Sequence, residues 1–275
     1  MLLIFTTVTA MIVAARGQAI PFVTLVATII GGALAAAGAS ALNQYIDRDL
    51  DGRMTRTRNR PIPSGRIPPI NALFFGLGLV ASAVLMLGLA VNWLSALLAL
   101  IGALYYVVVY TLLLKRNTVL NILIGGGAGA MPVLVGWAAV TGTLAPEAFI
   151  LFAIIFYWTP PHSWALALLV NSDYERANVP MMPVARGEEA ARVQILLYSI
   201  QLAALTLLPV PFRMLGFAYL AAAIVLGTGL LHESIRLLQR KTGAAARRMY
   251  KYSTFYLALL FLAMIVDTAL TVGLR

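Results

Sequence analysis

A chain of 275 residues that is 61% hydrophobic and 11% charged is not a soluble globular protein, where roughly a quarter of residues are charged. Its net charge of +10 would suit nucleic acid, but the cations are placed for another purpose: those in 48–66, 115–116, 176–192 and 236–251 fall on one side of a membrane-spanning arrangement, and only Arg16, Arg213 and Arg275 on the other, as the positive-inside rule requires. Cysteine is absent, which removes disulfides, thiolate metal sites and cysteine nucleophiles.

Apolar windows near the roughly 20 residues that a bilayer crossing takes recur along the chain, at 1–15, 19–42, 70–91, 93–113, 118–140, 146–169, 193–210, 213–235 and 252–273. They lack the alternation of barrel strands, and backbone amides in hydrocarbon need partners within their own segment. The expectation is nine transmembrane helices in one all-α integral membrane domain over 1–275, with the N-terminus and the long basic loops cytoplasmic and the C-terminus outside. The first window is short and begins at Met1 with no charged residue before it, whereas a signal peptide carries a basic leading segment. It is expected to be a transmembrane helix whose beginning is missing or wrongly started.

After the second window comes "NQYIDRDLDGRMTRTRNRPIPSG", Asn43 to Gly65. Asn43, Asp47 and Asp51 are four residues apart and form one oxygen-rich stripe on a helix, with Asp49 pointing away. Such a stripe suits magnesium, which takes a few carboxylates, keeps several waters and is completed by substrate phosphates. Arg56, Arg58 and Arg60 follow, and guanidinium forks bind phosphate. The competing reading is an interfacial helix end whose carboxylates pair with Arg48, Arg53 and Arg56 in solvent. The regular spacing, the Gly- and Ala-rich helix before Asn43, and a second acidic cluster at Asp173 and Glu175 favour the cation site.

Lys115 and Arg116 open the tight loop after the fourth window, where they contact a diphosphate or anchor a helix end. Asn121, one turn into the next helix, is a polar cavity candidate. In "YWTPPHSWALALLVNSDYERANVPMMPVARG", Pro160 and Pro161 precede His162, and freed carbonyls at a helix break mark a cavity. His162 is either a packing residue or a group that ligates or positions an iron porphyrin; Tyr157, Trp158 and Trp164 supply flat apolar walls or helix packing. Both long inner loops, 43–69 and 170–192, run from acids through arginine to a proline segment, a hint of internal duplication. His232, Glu233 and Asp267 read as interfacial.

These motifs resemble the intramembrane prenyltransferases of the UbiA superfamily, through "NQYIDRDLD" and "RTRNRPIPSG", and within it the protohaem IX farnesyltransferase (haem O synthase) branch, through "IGGGAGAMPVLVGWAAVTG", "YWTPPHSWALAL" and "DYERANVPMMPV". The resemblance runs along nearly the whole chain. It implies a nine-helix bundle around a central cavity with a magnesium-diphosphate site at its cytoplasmic mouth. The implied reaction joins the farnesyl group of farnesyl diphosphate to a vinyl carbon of haem b, adds the elements of water and releases diphosphate. Carried over, Asn43, Asp47, Asp51 and Asp173 hold magnesium, Arg58, Arg60, Lys115 and Arg116 contact diphosphate, and His162, Trp158, Trp164 and Asn121 are candidates for the acceptor. The chain departs from the family pattern at Asn171 and Ser172, where a basic residue and an acid are usual, at Ser163 and Asn178, and in lacking a Lys-Pro segment before the first helix.

The rival expectations are a prenyltransferase for an aromatic quinone precursor, a CDP-alcohol phosphotransferase, whose Asp-Gly and Ala-Arg spacing is not reproduced, and a transporter or assembly factor, whose buried charge would lie nearer the midplane. The expected setting is a bacterial inner membrane, with farnesyl diphosphate, haem b and the lipid bilayer as partners, a downstream haem-modifying enzyme as a further candidate, and no nucleic acid.

Overall fold

The structure is a computed structural model and describes residues 2–273; Met1 and Arg275, which figure in the expectations for the first helix and the outer face, lie outside the described residues. The apolar runs are helical because an intrahelical ladder satisfies the backbone where apolar side chains offer no partner. In chain order these are α1 (Leu2–Ala15), α2 (Phe22–Ile46), the short α3 (Arg48–Arg53), α4 (Pro69–Ala90) and α5 (Trp93–Leu104), which continues as a π-helix over Tyr105–Leu114. Then follow α6 (Asn121–Thr141), α7 (Pro146–Leu169), the short α8 (Asn171–Arg176) and α9 (Met182–Arg186), α10 (Glu188–Leu205), α11 (Phe217–Arg240) and α12 (Gly243–Gly273). No strand occurs among the described residues, and the fold is all-α as expected.

Seven of these segments, Phe22–Ile46, Pro69–Ala90, Trp93–Leu114, Asn121–Thr141, Pro146–Leu169, Phe217–Arg240 and Gly243–Thr271, are long and apolar enough to cross a membrane, and the chain is an integral membrane protein. Two of the nine expected spans differ. With 14 residues, α1 falls short of the roughly 20 that a crossing takes. The span expected at 193–210 is displaced to α10, which starts on Glu188 and Glu189 and stops short of Pro209 and Pro211, residues with no amide to continue an α-helical ladder. The basic bridge at 236–251 is nearly all helix, since α11 runs to Arg240 and α12 begins at Gly243. Its cations therefore extend from helix ends, where long side chains reach headgroup level.

α2 lies along α4, and the approach is close because two glycines meet: a Cβ on Gly38 would stand 2.8 Å from the Gly76 carbonyl oxygen, and one on Gly76 3.0 Å from that of Gly38. Small residues at such crossings are how membrane helices pack without a hydrophobic driving force. α6 occupies the interior, touching α1, α2, α5, the π-helical segment and α7, while α7 reaches on to α10 and α12. At one end of the bundle Arg16 pairs with Glu147 at 2.9 Å; the acidic motifs lie at the other. Asp267, near the C-terminal end of α12, is 2% exposed. Its carboxylate accepts from the amides of Gly216 at 2.6 Å and Tyr219 at 3.0 Å, satisfying donors that the first turn of α11 leaves free.

Candidate active site

The chain bends at Asp47, between α2 and α3, yet the hydrogen-bond register survives: the Asp47 amide donates to Asn43 O and the Asp51 amide to Asp47 O, both at 2.8 Å. Asn43, Asp47 and Asp51 therefore stay on one stripe, as the spacing predicts, and each is buried. Asn43 Nδ2 donates to Asp47 Oδ2 at 2.9 Å. Lys115 pairs with the same oxygen, and Arg116 stands 3.4 Å from Asp47 Oδ1. Both oxygens of Asp51 accept from Arg60, at 3.1 and 2.8 Å. Asp49 points away, also as predicted, and receives both Nη atoms of Arg116; that hydrogen bonding holds its carboxyl below the usual range and raises the guanidinium.

Three of the four expected diphosphate contacts thus stand on the stripe, while Arg58 is exposed. Asp173 sits elsewhere. Its oxygens accept from the backbone amides of Thr55 at 3.4 Å and Arg56 at 3.3 Å, and it pairs with Arg176, which also donates to Thr55 Oγ1 at 2.8 Å. Burial pushes the Asp173 carboxyl up, but the two amides and Arg176 outweigh it and leave it below the usual range. Glu175, the other acid of that cluster, accepts from Asn171. Among the described residues no three His, Cys, Asp or Glu side chains are grouped to hold a metal ion; the contacts of Asp173 are with the arginine-bearing loop and with Arg176.

Above the stripe lies a cavity of about 440 Å³ walled by α1, α2, α5, the π-helical segment, α6 and α7. Its walls are mostly small, as at Gly32 and Ala39; Tyr106 and Tyr110 face it from the π-helix, and Thr159 and Ser163 from α7. The two tyrosines stack, with ring centroids 5.5 Å apart, between the carboxylates and the apolar space. Sequence reasoning passed over both, and the signal was present: phenols four apart in "YYVVVYTLLLK", leading to Lys115. The π-helix itself has tertiary causes. Tyr105 donates to Ile124 O at 2.9 Å, and Tyr110 lies so close to Gly125 that a Cβ there would be 2.3 Å from its ring. Such π segments are frequent at functional sites.

None of the four expected acceptor residues lines this cavity. α7 runs unbroken through Pro160 and Pro161, and its phase turns Thr159 and Ser163 inward and Trp158 and His162 toward α12. There His162 stacks between Trp158 and Tyr250, at 4.3 and 4.7 Å, and its Nδ1 meets Ser253 Oγ at 2.9 Å. Trp158 donates to Ser253 O at 2.6 Å. Trp164 is 1% exposed and edge-on to Tyr198. Asn121 is fully buried and donates to Lys115 O at 3.4 Å, supporting the turn that carries the lysine.

The profile of the UbiA prenyltransferase family matches residues 3–265. The chain belongs to the UbiA prenyltransferase family. It is 53% identical over 267 residues to a protoheme IX farnesyltransferase of Roseiflexus sp. (strain RS-1), covering 97% of this chain and 50% of that relative, and 49% identical over 269 residues to one of Microcystis aeruginosa, covering 97% and 85%. The chain therefore spans about half the length of the first of these. A solved structure of digeranylgeranylglyceryl phosphate synthase superposes with a TM-score of 0.80 at 18% identity, covering 97% of this chain and 92% of that one. A UbiA homologue from Archaeoglobus fulgidus bound to DMAPP and Mg2+ superposes with a TM-score of 0.66 at 16% identity, covering 96% and 95%. At these identities the likeness is one of fold. The UbiA-type stripe of this chain suits magnesium in donor chemistry: two carboxylates and an amide, one turn apart, are hard oxygen donors of the number that magnesium takes from protein when phosphates complete it.

Proposed function

We propose that this chain is a magnesium-dependent farnesyltransferase that joins the farnesyl group of farnesyl diphosphate to a vinyl carbon of haem b, adds the elements of water and releases diphosphate, giving haem O. The observation that carries the reading is the junction of two unlike regions. A buried Asn43, Asp47 and Asp51 stripe under Lys115, Arg116 and Arg60 opens past Tyr106 and Tyr110 onto an apolar cavity. A donor with a diphosphate head and a hydrocarbon tail has the same division. Relatives named protoheme IX farnesyltransferase support haem as the acceptor, and the homologue bound to DMAPP and Mg2+ supports the metal.

Asn43, Asp47 and Asp51 would hold magnesium, which when bound supplies Lewis-acid stabilisation to the diphosphate oxygens. The bond between C1 of the farnesyl chain and the bridging oxygen breaks, and its electron pair stays with oxygen. Lys115, Arg116 and Arg60 meet the charge that develops there, with Arg58 free to close over it, and Asp173 keeps the loop that carries Arg58 and Arg60 in place. The allylic cation remains beside two phenol rings, whose faces attract cations, in a space with little water to intercept it. The vinyl electrons close on C1, a hydroxyl from water completes the acceptor, and the proton of that water leaves with diphosphate. Thr159 and Ser163 are the polar groups that the acceptor's edge would meet; Trp158, His162, Trp164 and Asn121 act on it only through the shape of α6 and α7. The site opens on the cytoplasmic side of a bacterial inner membrane, and a haem-modifying enzyme takes the product.

The test is mass spectrometry of membranes containing the protein, incubated with haem b, farnesyl diphosphate and magnesium. The expected product is a farnesylated, hydrated haem that disappears with chelator; its absence from inserted protein refutes the reading. The alternative acceptor, an aromatic quinone precursor, gains one argument from His162, which leaves no imidazole on the cavity wall. A prenylated aromatic product in place of haem O would decide for it.

A further inference from the structure

Thr111 lies in the π-helical segment and is fully buried, a polar side chain in an apolar run with no assigned purpose. Its hydroxyl donates to the carbonyl of Tyr106, five residues back, at 2.8 Å. With that proton used, the Thr111 oxygen can only accept, and Asn43 Nδ2 lies 3.0 Å from it. The other hydrogen of Nδ2 goes to Asp47 Oδ2 at 2.9 Å. Both neighbours are acceptors toward Asn43, so its amide has a single allowed orientation: a flipped amide would set Oδ1 against a carboxylate and a hydroxyl oxygen. The nitrogen is held inward on two sides, and Oδ1 has no hydrogen-bond partner among the described residues and is not sealed from its surroundings.

We propose that Thr111 is a positioning residue that fixes the Asn43 amide so that its oxygen is presented as a ligand to the divalent cation of the donor complex. The inference rests on the diphosphate reading of the stripe and adds to it a reason for the π-helix, which brings a hydroxyl from α5's continuation against the end of α2. An oxygen ligand whose partner side is fixed costs less ordering when the cation arrives, and groups behind metal ligands matter for that reason.

The test is a Mn2+ titration of the purified full chain by EPR, in the presence of the unreactive donor analogue farnesyl thiodiphosphate, with KM and kcat measured beside it. Thr111→Val, which keeps the shape and loses the hydroxyl, should raise the Mn2+ half-saturation about tenfold, the size expected for loss of a group that orients a ligand, and lower the melting temperature modestly, because Asn43 Nδ2 loses a buried acceptor. Thr111→Ser should restore native affinity to within about twofold. In an Asn43→Ala background Thr111→Ala should have no further effect, because Thr111 acts through Asn43; this arm decides the matter if the valine variant does not fold. Native titration by Thr111→Val, a serine variant as weak as valine, or additive losses in the double variant would overturn the proposal. If the native protein itself binds no Mn2+ with the analogue, the diphosphate reading fails and takes this one with it; if it binds and Thr111→Val is unaltered, Thr111 alone is wrong.

Discussion

Replacing Asp47 by Asn tests the site most directly, because the carboxylate is fully buried and three donors converge on it. In the native protein Oδ2 accepts from Asn43 and Lys115, and Oδ1 faces Arg116 at 3.4 Å. An asparagine can keep one oxygen for Lys115, but its amide then faces the Arg116 guanidinium, donor against donor. Removing one partner of a buried ion pair costs about 3–5 kcal/mol. Here the cost lies lower, about 2–3 kcal/mol, because the Lys115 side chain is 13% exposed and Arg116 keeps Asp49. That corresponds to a fall in melting temperature of roughly 5–10 °C for a chain of this size, so the variant should insert and fold. Turnover is a different matter: loss of a group that stabilises developing charge should reduce kcat by about 10²–10³-fold or more, and raising magnesium should not restore it. The assay is haem O formation by mass spectrometry, beside a melting curve in detergent. Turnover within a few-fold of native in the folded variant would refute the assignment of Asp47 to the cation.

The contrast with His162 is informative. His162→Ala should lower the melting temperature, since it empties a slot between Trp158 and Tyr250 and frees Ser253, while shifting KM for haem and for farnesyl diphosphate together; a selective rise in KM for haem would return His162 to the acceptor site. Asp267→Ala should destabilise by about 2–4 kcal/mol, because two amides at the head of α11 lose a charged acceptor, with the magnesium dependence of the remaining folded protein unchanged; an altered metal requirement would contradict its separation from the site. Asp173, whose carboxyl is held below its usual range, contributes stability that is complete above the ordinary Asp value of about 3.9 and is lost as pH falls through the lower folded-state value. Melting temperature measured from pH 6 to 3 should show that late acid loss in the native protein and lack it in Asp173→Asn, which should also be cut faster by trypsin after Arg56 at neutral pH.

What could be read from the sequence was local. The stripe depends only on helical spacing across eight residues, and its register holds through the bend because the Asp47 and Asp51 amides keep their bonds four residues back. Apolar windows likewise find helices without neighbours, although hydropathy alone misses Pro209 and Pro211, and so displaces the span that became α10. Asp173 was legible as an acid near the mouth but not in its contacts, because these include backbone amides more than a hundred residues away. His162 looked like a cavity residue from the two prolines before it, yet helix phase relative to α6 and α12 decides where a side chain on α7 points. The π-helix was not legible at all: Tyr105 on Ile124 and Tyr110 on Gly125 are contacts between segments, and no local pattern encodes them.

The charges at the mouth explain why a chain this apolar concentrates acids and arginines together. Asp47, Asp49 and Asp51 are each matched by a resident cation, Lys115, Arg116 and Arg60. Without such partners, carboxylates as buried as Asp47 and Asp51 would carry a desolvation cost of several kcal/mol per ion. With them each of these carboxylates has a resident counter-charge, but every pair is also a potential exchange. On the proposed function, a diphosphate arriving with a divalent cation would offer the lysine and arginines new oxygens and the carboxylates a new cation, so that each buried charge would trade one partner for another and none would be left bare. Either component alone leaves half of the exchange unmade: diphosphate without metal would draw Lys115 from Asp47 and strand a buried carboxylate, and metal without diphosphate would displace cations that have nowhere to go. On the proposed function, the acids and arginines form one device, in which donor and metal would favour each other's binding and the farnesyl tail would enter the cavity as the charges at its mouth are rearranged together.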